Sequence, residues 1–401
     1  MLISLKCRLY PNAAQSRRLN DYIDAARHVF NQALEQRIHA CKDGGKGINY
    51  YDQQKQITLQ RVVDAKMTDT PADVQRDGLR RVDSAFKNFF RRCKEGAKKK
   101  GFPRFKSANR YNSFTSTLPG QCVKDGRIHV VGMKQTIRCR GLQPCQHAPK
   151  RLTIVRRAGK WFARILIDDG RPLPDKKSIA TAVGIDLGLN AFVATSDGLK
   201  VVAPRFFRNA ATRLRRAQQR VSRRQRGSKR RAWAQARVQT IHAKIADCRD
   251  DFTHKLSKFF ATNYDLIVTE KLNVKGMVRG RLAKSILDAG WSQFTRRLEY
   301  KAANAGATYL QVNPSGTSQE CGKCGGPVPK TLSDRVHNCP ACGVTEDRDV
   351  NSGVVIRNRG LDLYESQHPG AVGVGLRTWR VDLHQQHSPL ASRLREMLCQ
   401  T

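Results

Sequence analysis

The first third of the chain changes from a strand pattern to a helical pattern and back again. Residues 3–9 alternate between apolar and polar side chains well enough for a short β-strand. In residues 11–100 apolar side chains recur at helical spacing on either side of a glycine-rich break at 43–47, so this region is predicted to be helical. Residues 106–168 return to strand patterns, with a hairpin across Ala158-Gly159. We expect the N-terminal strand to complete this small β module.

The rest of the chain carries strand and helix patterns in turn. It follows a linker at 168–178 that is rich in proline, glycine and charge. Its predicted elements are two strands around a turn at Gly188, a helical hairpin at 208–260 interrupted near Gly227-Ser228, a buried strand at 264–270, an amphipathic helix at 285–306 and a strand at 307–313. The tail after about residue 360 shows no clear pattern and is compatible with disorder.

The charge of the chain indicates its partners. Its 401 residues include 74 Lys and Arg against 33 Asp and Glu, a formal net charge of +41, while a hydrophobic content of 39% is enough for real cores. So much like charge favours binding to a polyanion, and counterion release makes nucleic-acid binding strong. An anionic membrane is the alternative, but the chain has no run of eighteen apolar residues and no secretory signal at its start. We therefore expect a cytoplasmic, nucleoid-associated protein that is not secreted.

One arm of the predicted helical hairpin concentrates the positive charge. Residues 208–231 contain eleven Lys and Arg and no acid. Such a run is often only a solvated face, but in so basic a protein a helix laid along a phosphate backbone is an equally good interpretation. The candidate backbone ligands are Arg213, Arg216, Arg220, Arg223 and Arg224.

Four of the twelve cysteines form a metal-binding pattern. Cys321-x-x-Cys324 and Cys339-x-x-Cys342 have the spacing of a two-knuckle zinc site, in which each turn presents two thiolates to one tetrahedral ion. Four thiolates fill the coordination sphere, so the predicted site is structural. Two unrelated reduced pairs or a redox disulfide are the alternatives. His337 is the rival ligand and is interpreted as a bystander.

Three acids stand at positions where they could meet. Asp186 and Glu270 each end an apolar strand, and Asp349 stands where a helix begins. Taken singly, each could be a turn former or a helix cap. If the strands are neighbours and the helix packs against them, the carboxylates converge, and such a cluster is unfavourable unless cations fill it. Two Mg²⁺ (or Mn²⁺) ions about 4 Å apart would do so and would support phosphodiester hydrolysis.

Two polar residues flank the third acid as candidate supporting residues. Asp347 is predicted to hold Arg348 or to cap the helix, since an acid near a helix N-terminus is favoured. Asn351 is predicted to hydrogen-bond one of the metal-ligating carboxylates.

Several short motifs agree in order and spacing with one known family. "GIDLG" around Asp186, "IVTEKLNVKGM" around Glu270 and "DRDVNSG" around Asp349 resemble the split RuvC nuclease motifs of the TnpB family. The segments "RLYPNAAQ", "FKNFFR", "GFPRFK", "DAGW" and "SGTSQECGKCG" are also typical of it. Members of this family are RNA-guided DNA endonucleases encoded by insertion sequences and are related to the miniature type V CRISPR effectors. "VNSGVVIRN" departs from the usual family pattern, and Ser352 and Gly353 are expected to loosen the helix there.

The resemblance implies an α/β multidomain protein in which Asp186, Glu270 and Asp349 hold the catalytic metal ions. The implied domains are a wedge-like β-barrel (1–10 and 104–172), a helical recognition domain (11–103), an RNase H-like RuvC nuclease domain (179–314 and 346–360), a Cys₄ zinc module (315–345) and a tail (361–401).

The resemblance also implies the partners and the reaction. One protein molecule would carry a guide RNA from the transposon end and cleave double-stranded DNA beside a short sequence motif. The positions matching the motif-contacting residues of the family are Tyr50, Arg76, Thr115 and Ser116.

Three other interpretations compete with this one. The first is a non-cleaving RNA-guided repressor, which would be expected to lack the acids. The second is a CRISPR-associated type V effector on the same scaffold. The third, a DNA-strand transferase, would require a catalytic Tyr or Ser on a recombinase fold or further acidic motifs, and the sequence offers neither.

Overall fold

The computed structural model divides the chain into two compact units. It describes residues 1–42, 47–117, 120, 122–142, 147–331, 333–370 and 389–399. The units are Met1–Pro172 and Leu173–Thr401, and the division falls inside the predicted linker at 168–178. Most of the glycine-rich break at 43–47 lies outside the described residues. No helix in the described ranges combines the length and apolarity needed to cross a membrane.

The first unit is built on a seven-stranded sheet of order β2-β6-β7-β1-β5-β4-β3. Its strands are β1 (Leu2–Tyr10), β2 (Ser113–Ser116), β3 (Val123–Lys124), β4 (Arg127–Ile128), β5 (Ile137–Arg140), β6 (Pro149–Arg157) and β7 (Lys160–Asp168). The N-terminal strand lies between β7 and β5, antiparallel to both, so it completes the β module as predicted. The described pairing is that of an open sheet, and closure into a wedge-like barrel stays a prediction.

The hairpin of β6 and β7 turns where the sequence indicates. Ala158 and Gly159 both have positive φ angles, 48° and 74°, as a tight two-residue hairpin turn requires. Arg157 pairs with Lys160 directly beside the turn. The hairpin prediction is therefore confirmed.

Between β1 and β2 the described residues form four α-helices, followed by a short 3₁₀ helix at Ala108–Arg110. The α-helices are α1 (Ala13–Lys42), α2 (Tyr50–Val63), α3 (Ala65–Asp69) and α4 (Ala72–Lys94). Helices α1 and α4 cross closely at Gly78, where an added Cβ would lie 2.5 Å from the backbone oxygen of Ala26. Leu19, Ile23 and Leu34 of α1 are fully buried in the core that these helices share with the sheet. The helical prediction for this region is confirmed.

The second unit contains a five-stranded sheet of order β10-β9-β8-β11-β12. Its strands are β8 (Ala182–Asp186), β9 (Ala191–Thr195), β10 (Lys200–Val202), β11 (Leu266–Glu270) and β12 (Thr308–Val312). The first three form an antiparallel meander, whereas β11 runs parallel to both β8 and β12. Strand β11 is buried along its whole length, as its continuous apolar sequence predicts.

In the described residues of this unit, helices pack on the sheet and on one another. They are α5 (Phe206–Ser222), α6 (Lys229–Asn263), α7 (Val274–Met277), α8 (Ala283–Ala289), α9 (Trp291–Asn304), α10 (Arg348–Gln367) and α11 (Pro389–Cys399). Helices α5 and α6 form the predicted hairpin. The single helix predicted at 285–306 is wrong, because Gly290 takes a left-handed conformation that separates α8 from α9. An added Cβ at Gly290 would lie 2.8 Å from the side chain of Arg249.

The tail is partly helical, which the sequence pattern does not indicate. Helix α10 continues past residue 360 to Gln367, and α11 forms a further helix near the C-terminus. Leu394 of α11 is buried in the core beside Leu256 and Phe260 of α6. Disorder is therefore wrong for these parts of the tail, while residues 371–388 lie outside the described residues.

Candidate metal-dependent nuclease site

Two of the three predicted acids lie at adjacent strand ends. Asp186 is the last residue of β8, and Glu270 is the last residue of β11. The strands are parallel neighbours, and their register pairs Ile185 with Thr269, the residues immediately before the two acids. Because the two strands are parallel and end at paired positions, both acids lie at the same edge of the sheet and on the same face.

Helix α10 brings Asp349 to this edge. Asp349 lies in its first turn, and the helix crosses β8 with almost no space between the backbones. A Cβ on Gly184 would lie 2.0 Å from the backbone oxygen of Gly353, and a Cβ on Gly353 would lie 2.8 Å from the backbone nitrogen of Ser196. Glycine is the residue that permits such an approach. The sequence suggested that Gly353 loosens α10. In the structure its missing side chain instead lets α10 pack onto the strand.

The three acids interact electrostatically. Burial, followed by the negative charges of Glu270 and Asp349, raises the pKa of Asp186 to about 8, although Arg348 acts in the opposite direction. The structure therefore brings together the three acids that the sequence singles out. Their oxygens are more widely spaced than the ligands of the cysteine cluster, the one group of possible metal ligands in the described residues whose atoms all lie within 4.8 Å of one another.

Glu270 is held in place by a residue that the sequence analysis does not identify. The hydroxyl of Thr317 donates a 2.5 Å hydrogen bond to its carboxylate. Burial raises the pKa of Glu270, whereas this hydrogen bond and the positive charge of Arg359 lower it. Thr317 is 2% exposed and lies within "SGTSQE", directly before the first cysteine pair. Its place beside the cysteine pair was the available sequence signal for Thr317, but that place does not reveal that its partner is Glu270.

Asp347 caps the helix that carries Asp349. Its carboxylate accepts hydrogen bonds from the backbone nitrogens of Asp349, at 2.9 Å, and Val350, at 3.2 Å. Lys200 of β10 forms an ion pair with the same carboxylate at 2.5 Å. The capping alternative is therefore the observed one, and Lys200 is a further supporting residue that the sequence does not reveal.

Asn351 supports the cysteine module rather than an acid. Its side chain accepts a hydrogen bond from the backbone nitrogen of Gly322 at 2.9 Å and donates one to the backbone oxygen of Glu320 at 2.8 Å. The residue is completely buried. Both of these hydrogen bonds hold the Asn351 amide at the first cysteine turn. They take the place of the predicted hydrogen bond to a metal-ligating carboxylate.

The four predicted zinc ligands form one cluster. The sulfurs of Cys321 and Cys342 are 3.6 Å apart, as are those of Cys324 and Cys339. Four thiolates at about 2.3 Å from one tetrahedral ion would be separated by slightly less than 4 Å, so the donor set fits a structural zinc ion. His337 is buried but is not a member of the cluster.

The two cysteine turns share one local geometry. In each, the glycine after the second cysteine has a positive φ, 71° at Gly325 and 69° at Gly343. Each of these glycines donates its N–H to the backbone oxygen of the first cysteine of its own pair, at 2.9 Å. Backbone N–H groups near Cys339, first that of Cys342, lower the pKa of its thiol to about 6, which favours the thiolate that binds metal.

The cysteine module is joined to the helix of Asp349. Strands β13 (Val336–Asn338) and β14 (Thr345–Asp347) form an antiparallel pair that leads directly into α10. A Cβ on Gly322 would lie 2.7 Å from the side chain of Val354, so the first turn also packs on the helix. Order in the cysteine module therefore determines where α10, and with it Asp349, begins.

The arginine-rich arm presents its charge to solvent. In α5, Ala210, Leu214 and Ala217 are buried against α6. The five predicted backbone ligands, Arg213, Arg216, Arg220, Arg223 and Arg224, are all exposed. Within the described part of the chain, none of the five forms an ion pair with an acid, so the charge of this surface is not neutralised internally.

The four candidate motif-reading residues differ in availability. Tyr50 begins α2 and Arg76 lies in α4, both half-buried. Ser116 is 5% exposed and its hydroxyl donates to Asp73 at 2.7 Å. Thr115 shares a hydrogen bond between hydroxyls with Thr153 at 3.2 Å. Ser116 is thus buried with its hydroxyl hydrogen-bonded, whereas Tyr50, Arg76 and Thr115 are partly exposed; the role of all four in reading a DNA motif stays a prediction.

Three family models match separate parts of the chain. A model described as "Probable transposase" matches residues 164–281, one described as "Cas12f1-like, TNB domain" matches 291–356, and one described as "Helix-turn-helix domain" matches 1–46. The described residues of 1–46 form one strand and one continuous helix, so that last description does not fit the local structure.

Two curated relatives match nearly the whole chain. The "Putative RNA-guided DNA endonuclease" of Streptomyces pristinaespiralis is 32% identical over 94% of this chain and 92% of the relative. The protein InsQ of Escherichia coli K12, given the same description, is 28% identical over 87% of this chain and 90% of its own length. Among solved structures, "Cryo-EM structure of the Cas12f1-sgRNA-target DNA complex" matches at 16% identity and a TM-score of 0.33, covering 89% of this chain and 99% of that one.

These similarities define a class and then a family. The matched models are described as a probable transposase and a Cas12f1-like domain, and both curated relatives as RNA-guided DNA endonucleases. With 32% identity over almost its full length to one of these relatives, the chain belongs to the TnpB family.

Proposed function

We propose that this chain is an RNA-guided DNA endonuclease encoded by a transposable element, cleaving double-stranded DNA beside a short motif at an RNase H-like RuvC site. The observation that carries the proposal is the meeting of Asp186, Glu270 and Asp349. Two acids end adjacent parallel strands, the third is brought to them by a helix packed glycine against glycine, and burial together with mutual repulsion raises the pKa of Asp186. The near full-length similarity to relatives described as RNA-guided DNA endonucleases supports the choice of substrate.

The chain's own residues position the reacting groups. Asp186, Glu270 and Asp349 would hold Mg²⁺ or Mn²⁺, which supplies an activated water and stabilises the leaving oxygen. Thr317 orients Glu270, and Asp347 fixes the first turn of α10 and therefore Asp349.

The arginines of α5 would bind the phosphate backbone, and the DNA motif would be read by Tyr50, Arg76 and Thr115. Arg76 suits guanine, because its guanidinium can donate two hydrogen bonds in the major groove. Base pairing with the guide RNA would read the rest of the target.

The test of the proposal is cleavage by the full-length protein with its own RNA. The protein is purified from its native locus, the bound RNA is sequenced, and plasmids that carry the matching target beside randomised flanks are incubated with Mg²⁺. We expect double-strand breaks only at matched targets with a common flanking motif. Binding without any cleavage would show that the protein is a repressor instead.

The raised pKa of Asp186 predicts a pH-dependent response to Mg²⁺. Because this pKa lies near 8 rather than at its usual 3.8, the metal-free folded protein binds a proton that the unfolded chain releases, and its stability falls as the pH rises through 8. Below pH 8 an ion must displace this proton, so its affinity should rise by up to about tenfold per pH unit and level off above 8. The increase in melting temperature caused by Mg²⁺ should therefore grow from pH 6 to pH 8.5.

The matched control for this measurement is Asp175→Asn, which removes an exposed acid of the linker. This variant should respond to Mg²⁺ and pH as the wild type does. If the Mg²⁺ effect were the same at every pH in the wild type, Asp186 would not be the residue that exchanges its proton for the ion.

A further inference from the structure

Three exposed phenylalanines lie at the end of α4 and in the loop that follows it. Phe90, Phe102 and Phe105 are 60%, 48% and 54% exposed, unlike the phenylalanines that fill the cores. The ring centroids of Phe90 and Phe102 lie 5.3 and 5.2 Å from that of Phe89, so the two exposed rings flank a common neighbour. We call Phe90, Phe102 and Phe105, three exposed rings within sixteen residues of the chain, the aromatic platform.

The aromatic platform is fixed, not loosely attached. Phe102 also packs edge-on against Phe86, which is buried in the core of this unit. The guanidinium of Arg92 donates to the backbone oxygens of Lys100, at 2.5 Å, and Gly101, at 2.9 Å, and so ties the loop to the helix before Phe102.

A second tie follows Phe105. The side chain of Asn31 both accepts from the backbone nitrogen of Lys106, at 2.8 Å, and donates to its backbone oxygen, at 3.0 Å. The loop is thus held at both ends although it has no regular secondary structure. Holding apolar rings rigidly in water is unfavourable, which indicates that something covers them in use.

The charge around the aromatic platform indicates what covers it. Residues 87–106 contain nine Lys and Arg and one acid, Glu95. Lys98, Lys99 and Lys100 are exposed immediately before Phe102. A second protein surface would have to be strongly acidic to lie here, whereas a nucleic acid strand offers both phosphates for the lysines and base faces for the rings.

We propose that the aromatic platform is a binding site for unpaired bases of the bound RNA, with the adjacent lysines neutralising its phosphates. Aromatic rings bind bases only where these are unstacked from a duplex, and RNA is recognised largely at such single-stranded segments. RNA is preferred to the displaced DNA strand because it is the polyanion that the protein would carry before any target is met. The inference rests on the proposed function for the identity of this partner.

The test uses binding by the full-length protein and needs no cleavage. The probe is a single-stranded RNA 2-aminopurine oligonucleotide, compared with the DNA of the same sequence and with a fully paired RNA duplex. Phe90→Ala and Phe105→Ala should each weaken binding of the single-stranded RNA by about tenfold and reduce the quenching of 2-aminopurine fluorescence. The duplex should bind both variants as it binds the wild type.

Conservative variants separate stacking from apolarity and from charge. Phe105→Tyr should restore binding to within about twofold, whereas Phe105→Leu should not, because leucine has no ring face. All these variants should keep the salt dependence of the wild type, while each lysine of 98–100 replaced by alanine should lower the log–log slope by about 0.7. Leu59→Ala, at a residue of α2 that is 69% exposed, is the matched control and should change nothing.

Several outcomes would overturn the inference. Equal binding by Phe105→Leu and the wild type would exclude stacking, and equal losses for duplex and single strand would exclude unpaired bases. A loss confined to the DNA probe would assign the platform to the displaced strand, and a change in oligomeric state would assign it to a second copy of the chain. A wild type that cuts no DNA, with the RNA results as expected, would overturn the nuclease proposal alone.

Discussion

Replacing Asp186 with asparagine is expected to reduce DNA cleavage by at least about 10³-fold while leaving RNA and DNA binding within about twofold of the wild type. Asparagine keeps the shape of the side chain but removes the charge that an ion requires. The same change removes the repulsion that Asp186 shares with Glu270 and Asp349. The metal-free variant should therefore melt at the same temperature as the wild type or higher at pH 8, while its Mg²⁺-dependent stabilisation is lost.

This pairing of lost activity with unchanged or increased stability distinguishes a metal ligand from a structural residue. Cleavage is measured on a matched plasmid, binding by gel shift, and stability by thermal unfolding with and without Mg²⁺. The exposed Asp175→Asn serves as the control and should behave as the wild type does in all three measurements. An Asp186→Asn protein that still cuts, or one that binds RNA poorly, would remove Asp186 from the catalytic site.

The strand ends of this site can be predicted because their signals are local. Asp186 and Glu270 each follow an apolar run that can be identified as a buried strand from its own five residues. The spacing of the cysteine pairs likewise predicts a shared metal site, and their sulfurs form one cluster in the structure. The two acids converge with Asp349 because a helix follows the cysteine module and packs on the sheet.

The predictions that failed depend on residues far away in the chain. Gly290 breaks a helix that is continuous in pattern, and its added Cβ would meet the side chain of Arg249, which lies on another helix. Helix α11 is ordered where Leu394 packs on α6. No short window of sequence contains both members of such a pair.

Gly353 is a further position whose role depends on a residue far away in the chain, and helix propensity alone gives the wrong expectation for it. Glycine weakens a helix considered in isolation, and this is the basis of the expectation that α10 would be loose. Against a strand that itself carries Gly184, the missing side chains permit a backbone contact that neither residue reveals alone. The stability of α10 therefore comes from its packing, and the position of Asp349 comes with it.

Replacing Gly184 with alanine is expected to lower the free energy of unfolding by about 3 kcal/mol and to reduce cleavage by about 100-fold. The added methyl carbon would lie 2.0 Å from the backbone oxygen of Gly353 and 2.4 Å from the backbone nitrogen of Arg357, neither of which can rotate away. Helix α10 would have to move by about 1 Å, and Asp349 would move with it relative to Asp186. Chemical denaturation measures the first effect, and single-turnover cleavage of a matched target measures the second.

Gly280→Ala is the matched control, because the nearest atom to its added Cβ is 3.8 Å away and its backbone is not left-handed. It should change the free energy of unfolding by no more than about 0.5 kcal/mol and leave cleavage unaffected. If Gly184→Ala matched this control in both measurements, α10 could not lie on β8 as described, and the meeting of the three acids would lose its structural basis. A loss of cleavage without any loss of stability would instead show that the methyl group disturbs the site locally, with the helix still in place.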